Sequence, residues 1–170
     1  RATGIGSFTR YLDDLEAGRM QEEWESFTNA LTTNLTSFFR EAHHFPLLAE
    51  HVRGLRENPI TVWCTASSTG EEPYSIAMTL CEAFNTMKPP VQVIATDIDT
   101  NVLATAERGV YPVERIGKME QERLQRFFLR GKGAQSGFVR VRPELQKLVS
   151  FRPLNLLADI VAIVTNPRLL

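Results

Sequence analysis

Residues 60–77 read ITVWCTASSTGEEPYSIA, and the reading of this stretch decides the fold. Ile60, Val62, Trp63 and Cys64 form a short apolar run rich in strand formers, which predicts a buried strand over 60–64. The small residues Thr65, Ala66, Ser67, Ser68, Thr69 and Gly70 predict a tight turn. Glu71, Glu72 and Pro73 then open a segment in which Ile76, Ala77, Leu80, Ala83 and Phe84 recur at helical spacing. Acidic residues and proline suit a first helical turn, where backbone donors are unpaired and the helix dipole is positive. A strand, a small-residue turn and a helix make up the first unit of a nucleotide-binding α/β domain. The turn carries neither the G-x-G-x-x-G dinucleotide pattern nor the G-x-x-x-x-G-K-[ST] phosphate loop. With no phosphate to cradle, carboxylates beside it suit a ligand with hydroxyls or a positive centre. Spacing alone leaves a purely structural unit and a ligand site both open.

Outward from this unit, residues 91–95 predict a second apolar strand, closed by Thr96, Asp97, Ile98, Asp99 and Thr100. An acidic residue at the end of the second strand can take both ribose hydroxyls of a nucleoside, because a carboxylate accepts several hydrogen bonds at once. Asp97 is the candidate, although it lies somewhat farther from Gly70 than the usual spacing of about 20 residues. Asp99 or Thr100 is placed to cap the helix marked by Val102, Leu103 and Ala106, and the sequence does not separate the ribose role from the cap role between Asp97 and Asp99. Residues 148–152 predict a third strand with Asn155 and Leu156 beyond its end, and residues 159–165 a fourth.

Between the second and third strands the pattern changes. A charged helix bearing Leu124, Phe127 and Phe128 leads into the glycine-rich run Arg130 to Gly137, and then Phe138, Val139, Arg140, Val141 and Arg142 alternate as in a half-exposed strand. This predicts a small antiparallel insert over about 126–147. It reads either as a solvated hairpin or as an exposed edge that receives a peptide by strand addition, with arginines anchoring carboxylates. Arg130, Lys132, Arg140 and Arg142 make it the most cationic patch of the chain.

On the other side of the central unit, Phe8, Tyr11, Leu12 and Leu15 predict a short amphipathic helix ended by Gly18. A second helix from about Met20 would place Trp24, Phe27, Ala30 and Leu31 on a core-facing side. Residues 32–40, TTNLTSFFR, crowd hydroxyls and an amide ahead of two aromatics and an arginine, which suits a capped loop or a ligand-lining hinge between two domains. Phe45, Leu47, Leu48, His51, Val52 and Leu55 predict a helix lying over the sheet. His43 and His44 have no neighbours at metal-ligand spacing and read as structural or surface residues, so no metal site is expected.

Composition limits the function classes. The 170 residues are 43% hydrophobic and 23% charged, enough for a packed core and against disorder. A net charge of −1 gives no general pull toward nucleic acid or anionic membrane. Cys64 and Cys81 read as buried apolar fillers in a reducing compartment, not a disulfide framework. With no signal-peptide pattern and no apolar run of about 18 residues, a cytoplasmic protein that does not insert into membranes is expected.

Several blocks together, NALTTNLTSFFREAHHFP, ASSTGEEPYSIA, ATDIDTNVL and RGKGAQSGFVRVRPEL followed by LNLL, resemble the bacterial chemotaxis receptor methyltransferases, the CheR family. The likeness runs in order over about residues 6–157. It implies an α/β fold of the class I S-adenosylmethionine-dependent methyltransferase (Rossmann-like) type. Residues 1–33 would be the C-terminal part of a helical N-terminal domain, residues 34–170 an incomplete methyltransferase domain, and residues 126–147 an inserted β-subdomain. The activity implied is methylation of chemoreceptor glutamates to methyl esters, with S-adenosylhomocysteine as the other product.

By position the resemblance assigns Asn34, Thr36, Arg40, Glu72, Asp97, Asn155 and Leu156 to the cofactor, and makes Arg40 the substrate-facing, catalytic cation. Gly131, Gly133, Arg140 and Arg142 match the subdomain that, in some members, holds a receptor's C-terminal pentapeptide. The implied partners are the cytoplasmic domains of chemoreceptors. The chain departs from the pattern after Leu157, where ADIVAIVTNPRLL only faintly echoes the family's aromatic-bearing strand. A sheet of about four strands with reduced catalytic competence is therefore expected. Two other classes fit the same residues: a catalytically impaired relative that binds receptor tails, and a class I methyltransferase acting on a small molecule.

Overall fold

Ile60, Val62 and Cys64 do form a strand, β1 (Ile60–Cys64), and the glycine that follows explains why a helix begins where it does. In the computed structural model, which describes residues 3–156, Gly70 adopts φ +96° and forms the N-cap of α4 (Glu71–Ala83). A Cβ at Gly70 would meet Ala106 Cβ at 2.7 Å and the Tyr111 hydroxyl at 2.8 Å, so the turn needs glycine for both its dihedral and its space. The chain divides into two compact units, Arg1–Thr33 and Asn34–Leu170.

In the first unit, α1 (Phe8–Glu16) starts at Ser7, whose hydroxyl accepts the Arg10 N–H, and α2 (Glu23–Leu31) follows. Tyr11 packs on Phe27 with ring centroids 5.9 Å apart, and Trp24 meets Phe27 edge-on at 5.8 Å. The expected core face of the second helix is corrected here: none of its residues is buried, Trp24 is 43% exposed and Leu31 is 68% exposed. Two nine-residue helices offer each other too little surface to enclose such side chains.

In the second unit, β2 (Val91–Asp97) is central in a parallel sheet of order β1-β2-β6, with β6 spanning Val149–Pro153. Ile60 pairs with Val91 and Cys64 with Ala95, while Val93 pairs with Val149 and Asp97 with Pro153. All of β2 except Gln92 is buried, the near-continuous apolar pattern of a strand covered on both faces. The helix α3 (His44–Arg53) packs on α4 through a core that includes Phe45 and Val52, whereas Leu47 points away and is 62% exposed. Next to α4 lies α5 (Thr100–Arg108), with the Tyr74 hydroxyl donating to Ala106 O at 2.8 Å. Asp99 is its N-cap and accepts from the Asn101 and Val102 N–H groups.

The segment between β2 and β6 builds a second, antiparallel sheet. It comprises β3 (Val110–Pro112), β4 (Phe128–Arg130) and β5 (Phe138–Val141), in the order β3-β5-β4. A 3-10 turn (Val113–Ile116) and α6 (Gln121–Phe127) connect β3 to β4, and α7 (Pro143–Gln146) leads into β6. The sheet thus recruits Val110–Pro112 from outside the 126–147 window, and Phe128 belongs to β4 rather than to the helix before it. Tyr111, Phe128, Val139 and Val141 face inward and join the same core as β1, β2 and α4. That shared core corrects the solvated-hairpin reading. The expected strand over 159–165 lies outside the described residues, so three parallel strands are described. Among the described residues no helix is long and apolar enough to cross a membrane.

Candidate functional site

A parallel sheet collects its loops at the carboxyl ends of its strands, and ligands bind there. Here the loop after β1 and the end of β2 are bonded to each other. Asp97 Oδ2 accepts the Ser68 N–H at 2.7 Å, and Oδ1 accepts the Asp99 N–H at 3.0 Å. Ser68 adopts φ +46°, so the turn bends sharply to present its N–H to the carboxylate. The segment beyond β6 is drawn in as well, because Leu154 N–H donates to Asp97 O at 2.9 Å. Together Thr65, Ala66, Asp97, Ile98, Leu154, Asn155 and Leu156 line a cleft of about 230 Å³. Ile98 and Leu156, 38% and 36% exposed, give it apolar walls.

A second cleft of about 430 Å³ is lined by Arg40, Glu41, His44, Phe45, Leu48, Val62, Glu72 and Ile76. The two clefts flank the end of β1: Thr65 lines the first, and Glu72 of the second lies near enough for its charge to act on the Cys64 thiol. Burial, reinforced by the nearby Glu72 charge, pushes that thiol up to about 12, so Cys64 stays protonated and inert. Arg40 is held by its Nη1 donating to Leu35 O at 2.8 Å, and it sits between Phe39 and Glu41, both at φ +53°. Two left-handed excursions, one on each side of the arginine, cost about 1–3 kcal/mol each, a strain typical of segments that aim a side chain at a site. Phe39 N–H donates to Ser75 Oγ at 3.0 Å, fixing this turn to α4.

The structure thus brings Asp97, Asn155 and Leu156 together in one cleft, and Arg40 and Glu72 in the other. Asn34 and Thr36 lie on the strap that leads to Arg40. Asn34 Nδ2 donates to Asp99 Oδ2 at 2.8 Å, and Thr36 O accepts from Arg115 Nη1 at 3.4 Å. Gly131, Gly133, Arg140 and Arg142 are all on the small sheet or its turns, apart from both clefts. Gly131 admits no side chain, since a Cβ would run into the Gln135 carbonyl. Arg140 projects from the exposed side of β5, opposite Val110 and Leu129. Arg142 is half-buried and donates to Gln125 O at 3.2 Å.

Several contributors were not visible as a pattern. Glu71, 1% exposed, takes the Thr69 hydroxyl at 2.6 Å and Arg115 Nη1 at 3.1 Å. Tyr111 donates its hydroxyl to Thr69 O at 2.8 Å. The only local hint was two adjacent glutamates at a helix start, of which a nearly all-buried helix can leave just one exposed. His43 and His44 are exposed, and no metal-binding cluster of His, Cys, Asp or Glu occurs among the described residues.

A nucleoside needs an apolar slot for its base and acceptors for its ribose hydroxyls, and a carboxylate pointed at a phosphate would be repelled. The lining of the first cleft, with the apolar Ile98, Leu154 and Leu156 beside the Asp97 carboxylate, fits both needs. A parallel β-α-β unit with an acidic residue at the end of its second strand is the nucleoside-binding arrangement of an open α/β sheet. Residues 34–164 match the family described as CheR methyltransferase, SAM binding domain. The chain is 52% identical over 158 residues to a chemotaxis protein methyltransferase of Escherichia coli (strain K12), covering 93% of this chain and 55% of that protein. It is 53% identical over 159 residues to chemotaxis protein methyltransferase 2 of Pseudomonas aeruginosa, covering 92% of this chain and 56% of that protein. A chemotaxis protein methyltransferase of Borreliella burgdorferi is 32% identical over 169 residues, covering 94% and 59%. The chain belongs to the CheR methyltransferase family and carries its S-adenosylmethionine-binding domain. It spans a little over half the length of these relatives.

Proposed function

We propose that this chain binds S-adenosylmethionine in the Asp97 cleft and directs its methyl group to glutamate side chains in the cytoplasmic domains of bacterial chemoreceptors, as methyl esters. The observation that carries this reading is the bond between Ser68 N–H and Asp97, which joins the loop after β1 to the end of β2 beside an apolar slot. When bound, the cofactor supplies an activated methyl group on a sulfonium. A glutamate carboxylate is already nucleophilic at neutral pH, so the residues need to place and desolvate the reactants more than to move a proton. Placement of well-oriented reactants supplies roughly 7–11 kcal/mol of barrier lowering.

In this assignment Asp97 accepts the ribose hydroxyls with the lone pairs its two backbone bonds leave over. Ile98 and Leu156 hold the adenine with Asn155 at its edge, and Glu72 stands toward the positive centre of the donor. Asn34 and Thr36 carry the strap that sets Arg40, and Arg40 fixes the donor's carboxylate or that of the receptor glutamate. Gly131, Gly133, Arg140 and Arg142 of the small sheet receive a receptor's C-terminal pentapeptide, with Arg140 as carboxylate anchor. The site is assigned to the cytoplasm, where those receptor domains lie.

The test is transfer of labelled methyl from S-adenosylmethionine to receptor-bearing membranes. Label that is released by mild base, as methyl esters are, supports the reading. Tight peptide binding without transfer would instead make the chain a docking module, and transfer to a small molecule alone would remove the receptor assignment.

A further inference from the structure

The inserted sheet does more in this structure than offer a surface. Three of its contacts hold the loops that line the two clefts. The Tyr111 hydroxyl donates to Thr69 O at 2.8 Å, on the loop after β1. Phe38, on the strap before Arg40, packs edge-on against both Tyr111 and Phe128, with centroids 5.0 and 5.6 Å apart. Arg115, from the 3-10 turn after β3, reaches both loops with one nitrogen: Nη1 lies 3.1 Å from Glu71 Oε1 and 3.4 Å from Thr36 O. Glu71 is 1% exposed, so its charge requires a partner, and Arg115, with a half-exposed side chain, supplies it from the solvent side.

We propose that Arg115 is a positioning residue for donor binding: it staples the 69–72 loop to the 34–40 strap, so that Glu72, Asp97 and Arg40 are held in register before the donor arrives. The proposal rests on the reading of the Asp97 cleft as the donor site. Without Arg115, Glu71 is left with the Thr69 hydroxyl alone. The cheapest relaxation is for the helix start to swing toward water. That movement takes its neighbour Glu72 out of the second cleft and drags the Ser68 N–H off Asp97, loosening both sides of the site. The parallel sheet has no part in this movement, because its hydrogen bonds are made elsewhere, such as Val93 N–H to Leu148 O at 2.7 Å.

The experiment pairs calorimetric titration with S-adenosylhomocysteine and amide hydrogen exchange on the ligand-free chain, for the parent, Arg115→Ala, Arg115→Lys and Glu71→Gln/Arg115→Ala. Arg115→Ala should bind about ten-fold more weakly, the size of losing one charge-assisted hydrogen bond at a half-exposed group. The Ser68 amide should exchange faster while the Val93 amide keeps its parental rate. Arg115→Lys keeps a charge for Glu71 without spanning to Thr36, and should lose roughly two- to five-fold with unchanged thermal stability. Adding Glu71→Gln to Arg115→Ala should recover part of the affinity, because no buried charge is then left unpaired. Equal affinity in parent and both single variants would overturn the staple, as would equal acceleration of the Ser68 and Val93 amides. If the parent itself does not bind S-adenosylhomocysteine, the reading of the Asp97 cleft fails, and the proposal with it.

Discussion

Asp97 is the residue whose replacement tests most of this account at once. Its two oxygens hold the Ser68 and Asp99 N–H groups at 2.7 and 3.0 Å, and the residue is 9% exposed. Hydrogen bonds to a charged acceptor contribute about 1.5–3 kcal/mol each. Asp97→Ala removes both, a loss of roughly 3–6 kcal/mol against a total stability of about 5–15 kcal/mol for an ordinary domain, so that variant risks unfolding. Asp97→Asn is the sharper perturbation. It keeps the volume and one acceptor oxygen but turns an NH2 group toward a backbone N–H, so one loop bond is lost and two donors face each other. The expected cost is about 1.5–3 kcal/mol in urea unfolding. One ribose bond goes too, so affinity for S-adenosylhomocysteine should fall about 10- to 150-fold, the conversion of the same energy. Calorimetry on protein shown to be folded by its urea transition reads both numbers. A folded Asp97→Asn protein that binds with parental affinity would refute the ribose assignment.

Three further outcomes follow from the geometry. Gly70→Ala should destabilise by about 2–5 kcal/mol, combining overpacking against Ala106 and Tyr111 with a left-handed backbone at a residue that carries a Cβ; a urea midpoint within error of the parent would contradict it. Burial pushes the Cys64 and Cys81 thiols up to about 12 and about 11 from the usual 9.0, which favours their protonated form in the folded state. The stability this confers is fully present below pH 9.0 and is lost as the pH rises through about 11 and 12, so urea midpoints should fall steadily above pH 9.0, and a flat profile from there to pH 11 would count against it. Arg140→Ala should weaken capture of a receptor tail peptide about ten-fold, the value of a hydrogen bond to a charged group, and spare donor affinity; equal peptide affinity in variant and parent would remove the anchor role.

How much of this was legible in the sequence depended on how local each signal is. The strand-turn-helix around Gly70 and the end of the second strand at Asp97 were readable because they rest on periodicity and on the needs of a helix N-terminus. The alternation of Phe138, Val139, Arg140 and Val141 placed Arg140 on the exposed side of its strand for the same reason. Spacing does not separate the roles of Asp97 and Asp99, because both lie at the same strand-to-helix junction. Geometry assigns the cap to Asp99 and gives Asp97 the loop after β1. Other features had no local signal. A three-residue strand such as Val110–Pro112 is too short to show a period, so its recruitment into the small sheet was invisible. Spacing puts Trp24, Leu31 and Leu47 among apolar neighbours, yet it states only which residues share a face, not whether that face is covered. The Glu71–Arg115 pair is separated by 44 residues and depends on where the inserted sheet folds back. Such pairs need the tertiary structure.

The proposed function needs the loop after β1, the Asp97 carboxylate and Asn155 with Leu156 to form one adenosyl-binding cleft. A crystal structure of the chain with S-adenosylhomocysteine tests it most directly. Both ribose hydroxyls should lie within about 3.2 Å of the Asp97 carboxylate oxygens, with the adenine between Ile98 and Leu156. A ligand lodged elsewhere, with Asp97 bonded to Ser68 and Asp99 alone, would contradict it.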